Sequence, residues 1–373
     1  MKKVSIVTPS FNQGPFIAEA IESVLAQNDP NFEHIVIDGG STDNTLEVLK
    51  AYPHLKWVSE PDKGQCDAVN KGFHLATGDI FGEINADDYY LPGAFSVVRR
   101  EMGRHDGCPV VTGGQQNIRD GKMAEVVLPQ KAGHRELLRY PVNPVSHPAT
   151  FYSRKIWEAV GGLDAAIRYA PDVDLFIRMS KICEFKCVGE LLAVNRIHEA
   201  GIQGRECARN WLATLYHIAR HGDFPVFEEM ADVTFGWMRG APERPHSDAD
   251  DADGTAWLHA AYVTATLAGL AARHQRIVLA GGGRYCQWLL RQAATVRGLT
   301  IVALMDDAPK QAGAATGLGA VPFGAVPRSD YDLIVVCSDT AREQLAKRVI
   351  ETCGADAPLL ELYAGAPAGA FPK

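Results

Sequence analysis

The chain has 373 residues, of which 46% are hydrophobic, 22% charged and 8% aromatic. These are globular proportions, so a disordered or fibrous chain is excluded and the length suits two or three domains. The net charge of −8 argues against nucleic acid or another polyanion bound across the whole surface, though not against a local basic groove. No apolar run approaches the roughly 18 residues of a membrane span. The opening MKKVSIVTPSF, broken at Pro9, is too short in its apolar stretch to act as a signal peptide. Eight cysteines are scattered, and the one close pair, Cys183 and Cys187, has no second pair to complete a zinc site. Reduced, structural thiols in a cytosolic protein are expected.

From Val4 to about Met102, short β-rich runs alternate with helical periods. Val4 to Thr8 reads as a buried strand. Phe16 to Gln27 places Ile17, Ile21, Val24 and Leu25 on one helical face. Glu33 to Asp38 and Leu55 to Ser59 read as strands, Cys66 to Ala76 as a helix and Ile80 to Ile84 as a fourth strand. Strands separated by helices imply βαβ units and a mainly parallel sheet, whose ligands sit at the carboxyl ends of the strands. Residues 103–200 are less regular, with strands expected at Ala149 to Ser153 and Phe185 to Val188 and a helix at Asp172 to Ile182. Glu206 to about Met238 is helical, and Trp257 to Ala272 is another helix. Between them, Gly240 to Gly254 holds two prolines and four aspartates and reads as an exposed linker. Arg276 opens a second βαβ pattern: RIVLAGGG enters a glycine turn, Trp288 to Thr295 is helical, and Thr300 to Met305 is a strand. A strand at Leu333 to Cys337 and a helix at Thr340 to Cys353 follow.

The strand ends carry the chemistry. The first ends in Thr8-Pro9-Ser10-Phe11-Asn12 and the second in Asp38-Gly39-Gly40-Ser41-Thr42-Asp43. The third runs into Glu60-Pro61-Asp62-Lys63-Gly64-Gln65, and the fourth ends in Asn85-Ala86-Asp87-Asp88. Ser41 and Asp43 could serve as helix caps and any one acidic residue as a turn former. The acidic clusters that converge at this edge repel one another, and a divalent cation would relieve that repulsion. Asp87-Asp88 suits a hard cation such as magnesium or manganese.

These blocks resemble a known family. VSIVTPSFNQGPFIAEAIESVLAQ, IVIDGGSTDNT, SEPDKGQCDAVNKGFHLATGD and INADDYYLPGA are similar, in order, to the family 2 glycosyltransferases, which have the GT-A fold. HPATFYSRKIWEAVGGLD and YAPDVDLFIRMS fit the same family, and the resemblance covers roughly residues 3–205. It implies inverting transfer of a sugar from a nucleotide diphosphate sugar, with UDP expected, to an acceptor hydroxyl, with Mn2+ or Mg2+ as cofactor. By the same resemblance, Pro9, Ser10, Phe11 and Asn12 hold the nucleotide, and Asp38 accepts a hydrogen bond from the base. Asp62, Lys63 and Gly64 lie close to the nucleotide. Asn70 falls in the block that contacts the donor. Asn85-Ala86-Asp87 takes the place of the Asp-x-Asp motif; with its first Asp replaced, Asp87 and Asp88 share the metal and ribose roles. Val69 stands where many members carry a phosphate-binding Arg, with Lys71 or Lys63 as substitutes. His198 is a candidate metal or phosphate ligand. Asp172 matches the family's general base, while Asp174 caps the helix or braces Arg178. For His147 a structural role stands beside contact with the acceptor.

The expected architecture is a GT-A domain over 1–205, a helical connector over 206–272 with the acidic loop 240–254, and a Rossmann-like doubly wound domain over 273–373. The last resembles small domains fused to sugar-modifying enzymes. Its Gly281-Gly282-Gly283 turn and Asp306 would bind a nucleotide-type ligand or serve assembly into a homo-oligomer, although Cys286 replaces the last glycine of a dinucleotide fingerprint. The implied setting is surface polysaccharide or glycoconjugate synthesis in the cytoplasm or at the inner face of the membrane, by peripheral association, on a glycan or lipid-linked acceptor. Two rivals stand beside this. A sugar nucleotidyltransferase would want a Gly-rich, basic loop after the first strand, which TPSFNQGPF lacks. A catalytically silent nucleotide-sugar-binding or assembly module would explain Asn85 and Val69, but intact Asp87, Asp88 and Asp172 count against it.

Overall fold

A computed structural model of the chain describes residues 2–104, 109–119, 121–138, 145–167, 169–198, 276–281, 299–305, 320–336 and 342–361, together with 213–214, 217–218, 221, 266–267 and 270. Packing divides the chain into two units, Met1–Thr214 and Leu215–Lys373.

In the first unit, β1 (Val4–Ser10) is buried at nearly every residue, as a strand covered on both faces must be. Helix α1 (Ile17–Leu25) buries Ile17, Ala20, Ile21 and Val24. Leu25 corrects the expected face: it lies about 100° round the helix from Val24 and is 37% exposed. Then come β2 (Phe32–Asp38), α2 (Thr45–Lys50), β3 (Lys56–Ser59), α3 (Gln65–Leu75) and β4 (Ile80–Glu83). A Cβ at Gly72 would stand 2.4 Å from Val7 Cγ1, so the close approach of α3 to β1 depends on glycine there. The expected strands and helices of this stretch all form, with ends shifted by one or two residues.

The less regular half holds more structure than its pattern suggests. β5 (Tyr89–Tyr90) and α4 (Ala94–Arg104) lead to a hairpin of β6 (Val110–Arg119) and β7 (Lys122–Val127), which follows no clean alternation. VVTGGQQNIR is mostly buried along its length, polar residues included, so period-two patterning is lost. After α5 (His134–Leu138), a 3-10 turn at His147–Ala149 enters β8 (Thr150–Ser153), then α6 (Arg154–Val160) and α7 (Pro171–Ser180). The expected strand at Phe185 to Val188 is part of a longer one, β9 (Lys186–Ile197).

Among the described residues these strands form one sheet of order β3-β2-β1-β4-β8-β6-β9-β5, with β7 paired to β6. β3, β2, β1 and β4 are parallel, so their carboxyl ends share one edge. β6 and β9 are parallel to each other and bring Asn117 beside Asn195 and Ile118 beside Arg196. One apolar cluster joins Ile6, Ile80, Phe95, Val98 and Phe151; a second joins Ile17, Ile21, Val36 and Leu49.

In the second unit, β10 (Arg276–Ala280), β11 (Thr300–Met305), β12 (Ala320–Val321), β13 (Leu333–Val336) and β14 (Leu359–Glu361) form a parallel sheet of order β12-β11-β10-β13-β14. Counted within the unit this is 3-2-1-4-5, the strand order of a doubly wound sheet. Helix α8 (Arg342–Cys353) joins β13 to β14. Gly281 is described, with φ 116°. Gly282, Gly283, Cys286, Asp306, the loop 240–254, the helix at 288–295 and most of the two expected connector helices lie outside the described residues.

Candidate active site

At the ends of β1 and β2, two loops are stitched together. Asn12, at φ 53°, donates its N–H to Ser41 Oγ at 2.7 Å, and its Oδ1 accepts from Thr42 N at 2.8 Å. Gln13 N donates to Thr45 Oγ1 and Gly14 N to Asp43 Oδ2. The stitching leaves Phe11 59% exposed, a rigid aromatic face beside the edge. Pro9 is partly buried, while Ser10 is buried with no hydrogen-bond partner for its Oγ among the described residues.

Asp38 does not lie open to a nucleotide base. It is wholly buried, and its carboxylate accepts from Gly40 N, Ser41 N, Ser41 Oγ and Ser59 Oγ. It is the knot that ties β2, its loop and β3. Asp62 is the carboxylate left at this corner: partly exposed, it accepts from Gly64 N at 2.8 Å, and a Cβ on Gly39 would come within 2.9 Å of its Oδ2. Lys63 is exposed and its N–H caps onto Asp67. Lys71 sits between Glu60 and Asp67, 3.1 Å from each, so its charge is already matched. Asn70 departs from the expected donor role. Its Nδ2 donates to Leu163 O at 2.8 Å and its Oδ1 accepts from Leu163 N at 3.0 Å, which clamps the turn after α6 onto α3.

Beyond β4 the two aspartates separate. Asp88 is buried, with Oδ1 accepting from Arg196 N at 2.8 Å and Oδ2 from Asn85 Nδ2 at 3.2 Å. Burial, then the neighbouring Asp87 carboxylate, pushes its carboxyl up to about 7. Both its oxygens thus face inward donors, an arrangement that suits a brace rather than the metal ligand expected of it. Asp87 is more exposed, and its Oδ2 lies 3.0 Å from His198 Nε2. Asn85 Oδ1 accepts from Gln65 Nε2 at 2.9 Å, so the amide that replaces the motif's first acid is read by the first residue of α3.

A second acid–base cluster flanks this one. Glu83, buried at the end of β4, meets His147 Nε2 at 3.1 Å. Burial by itself lowers the imidazole, but the Glu83 carboxylate, with Asp172 and Asp88 adding to it, pushes His147 up to about 9. Asp172 is the second residue of α7, after Pro171. It is not the helix cap, a position taken by Ala170. Burial raises its carboxyl and the His147 charge opposes the rise. Asp174 braces Arg178, as expected, through a 2.7 Å bond to Nε. Glu83 and Gln65 were not among the sequence candidates; Glu83 reads as one more residue of a buried strand.

The residues suit a divalent cation in one place. Among the described residues no group of three or more His, Cys, Asp or Glu is arranged around a common point. Asp87 and His198 form a pair, Oδ2 3.0 Å from Nε2, that would offer a carboxylate oxygen and an imidazole nitrogen to such a cation. A cavity of about 500 Å³ lined by Ile37, Val58, Glu60, Asn70, Lys71, His74 and Leu75 contains none of these groups.

The glycosyl transferase family 2 model matches residues 5–161. An uncharacterized glycosyltransferase of Mycobacterium tuberculosis is 30% identical over 192 residues, covering 50% of this chain and 72% of the relative. The chain belongs to glycosyl transferase family 2. Other relatives include the chondroitin synthase of Escherichia coli, 27% identical over 199 residues that cover 52% of this chain and 29% of the synthase. The chain spans under a third of the length of that synthase and of the Pasteurella multocida chondroitin and hyaluronan synthases it also matches. The structure of Staphylococcus aureus TarS 1–349 in complex with UDP-GlcNAc aligns with a TM-score of 0.54 at 16% identity, covering 72% of this chain and 81% of that one. With the family this shows the GT-A fold expected from the sequence. Among the described residues no helix is long and apolar enough to cross a membrane.

Proposed function

We propose that this family 2 chain is an inverting, metal-dependent glycosyltransferase that moves a sugar from a UDP-sugar to an acceptor hydroxyl of a glycan or lipid-linked glycan, on the cytoplasmic side of the membrane. The observation that carries this reading is the pairing of Asp87 with His198 beside the Glu83–His147–Asp172 cluster at the carboxyl edge of the sheet. Its relatives in polysaccharide synthesis and the UDP-GlcNAc complex of TarS support the donor class.

On this reading Phe11 stacks on the base, Asp62 accepts from its ring N–H, and Pro9, Ser10 and Asn12 line the nucleotide, with the Lys63-Gly64 turn beside it. Asp38 shapes these loops from within. Asp87 and His198 would hold Mn2+ or Mg2+, with Asp88 orienting them through Arg196 and Asn85. When bound, the cation would supply Lewis-acid stabilisation of the diphosphate charge that builds as the donor bond breaks. Asp172 takes the acceptor proton while the acceptor oxygen bonds to the anomeric carbon from the face opposite the leaving diphosphate, which departs with the electron pair. A base raised by burial grips that proton more strongly, provided a nearby cation keeps it ionised; His147 is that cation.

A thermal-shift panel of UDP-, GDP- and dTDP-sugars with and without Mn2+ tests the proposal. We expect UDP-sugars with Mn2+ to stabilise the protein by about 2.7 kcal/mol at a hundredfold excess over Kd. No shift with any nucleotide sugar, or an equal shift in EDTA, would overturn it.

A further inference from the structure

His198 follows directly on β9. Among the described residues β5 pairs with β9 as far as Val194 and β6 as far as Ile197. Two side chains meet His198. Its ring packs on Phe16 with centroids 4.7 Å apart, and Nε2 meets Asp87 Oδ2. Phe16 directly precedes α1 and closes the loop that carries Phe11 and Asn12.

Arg196 lies two residues earlier and therefore on the same side of the strand. Its guanidinium carbon sits 5.5 Å from the centre of the Phe16 ring and 5.2 Å from that of Tyr89. Nη2 is held by Glu19 of α1 at 2.6 Å, and the backbone N–H holds Asp88. One aromatic ring thus carries both the arginine plane and the imidazole. The arginine is anchored at three further points: an acid on α1, a tyrosine on β5 and the buried aspartate beside Asp87. Cation–π contacts of this kind favour one rotamer of the arginine.

We propose that Arg196 is a positioning residue: clamped by Glu19, Phe16 and Tyr89, it fixes the Phe16 ring on which His198 rests and so presets the Asp87–His198 pair for a divalent cation. The proposal rests on the reading of His198 as a metal ligand. Supporting groups behind a metal ligand change metal affinity tenfold to a hundredfold when removed. A lysine keeps the charge and the reach to Glu19 but lacks the flat guanidinium that stacks.

The test is Mn2+ binding to the full chain in the presence of UDP, followed by the electron paramagnetic resonance of free Mn2+, with pulsed measurements of the nitrogen coupling from a bound imidazole. Wild type, His198→Ala, Arg196→Met, Arg196→Lys and Glu19→Gln are compared. We expect His198→Ala to weaken Mn2+ binding and abolish the nitrogen coupling. Arg196→Met should weaken binding by about tenfold or more and reduce the coupling, and Arg196→Lys should restore only part of the affinity. Glu19→Gln, at an exposed end of the clamp, should give a smaller loss in a protein whose melting is unchanged, and serves if Arg196→Met proves unstable. Undiminished binding and coupling in the Arg196 variants, or in Glu19→Gln alone if those do not fold, would overturn the clamp while His198→Ala still shows its loss. Undiminished Mn2+ affinity in His198→Ala would instead overturn the metal reading beneath it.

Discussion

Replacing His147 by Gln should remove a stabilising ion pair that depends on pH in a definite direction. The imidazole is buried against Glu83 at 3.1 Å and is pushed from 6.5 up to about 9 in the folded protein. A rise of that size in proton affinity corresponds to about 3 kcal/mol. Because the folded state binds the proton more tightly, this stabilisation is fully present below pH 6.5 and disappears as pH rises through 9. Asp88, pushed up to about 7 with the His147 charge opposing part of the rise, titrates near the lower end of that window, so the comparison is read from its upper part. Urea unfolding of wild type and His147→Gln at intervals from pH 6 to pH 10 gives the difference directly. We expect the stability gap between them to shrink by about 3 kcal/mol across that range. A gap that stays constant would show that His147 is not charged in the folded protein, and the electrostatic support assigned to Asp172 would fail with it.

Two other substitutions separate structure from binding. Asn70→Ala breaks both hydrogen bonds to Leu163 and should cost about 2–3 kcal/mol in unfolding free energy without changing UDP affinity. Unchanged stability with weaker UDP binding would return Asn70 to the donor site. Phe11→Ala removes an exposed ring and should leave melting unchanged while weakening UDP by about tenfold, the loss expected of one stacked base. Calorimetry showing equal UDP affinity would exclude Phe11 from the nucleotide site.

Much of this site was legible because βαβ alternation fixes geometry. Once β1, β2, β3 and β4 are strands with helices between them, their polar ends must meet at one edge, whatever the residues in between. The position of Asp87, Asp62 and Phe11 followed from that. What did not follow was which way each side chain faces. Asp38 and Asp62 are both acids after strands, yet one is enclosed by four donors and the other stays partly open; the difference lies in Ser41 and Ser59 folding over Asp38. Asp87 and Asp88 are neighbours, and it is the distant Arg196 N–H, with the Asn85 amide, that holds Asp88 inward. The structural partner of Asn70 is not legible in the sequence, because Leu163 lies 93 residues away. The hairpin of β6 and β7 escaped because GGQQN carries neither β-branched residues nor alternation. Its strand state comes from pairing with β8 and β9, a tertiary effect with little local trace.

The account stands most directly on Asp172. UDP release from a UDP-sugar with Mn2+ should be measured for wild type and Asp172→Asn at matched donor occupancy, with water or added glycan as acceptor. The predicted result is equal donor affinity and a rate at least about a hundredfold lower in the variant, the low end for loss of a general base. Turnover near the wild-type rate in Asp172→Asn, or no UDP release by wild type with its donor bound, would contradict it.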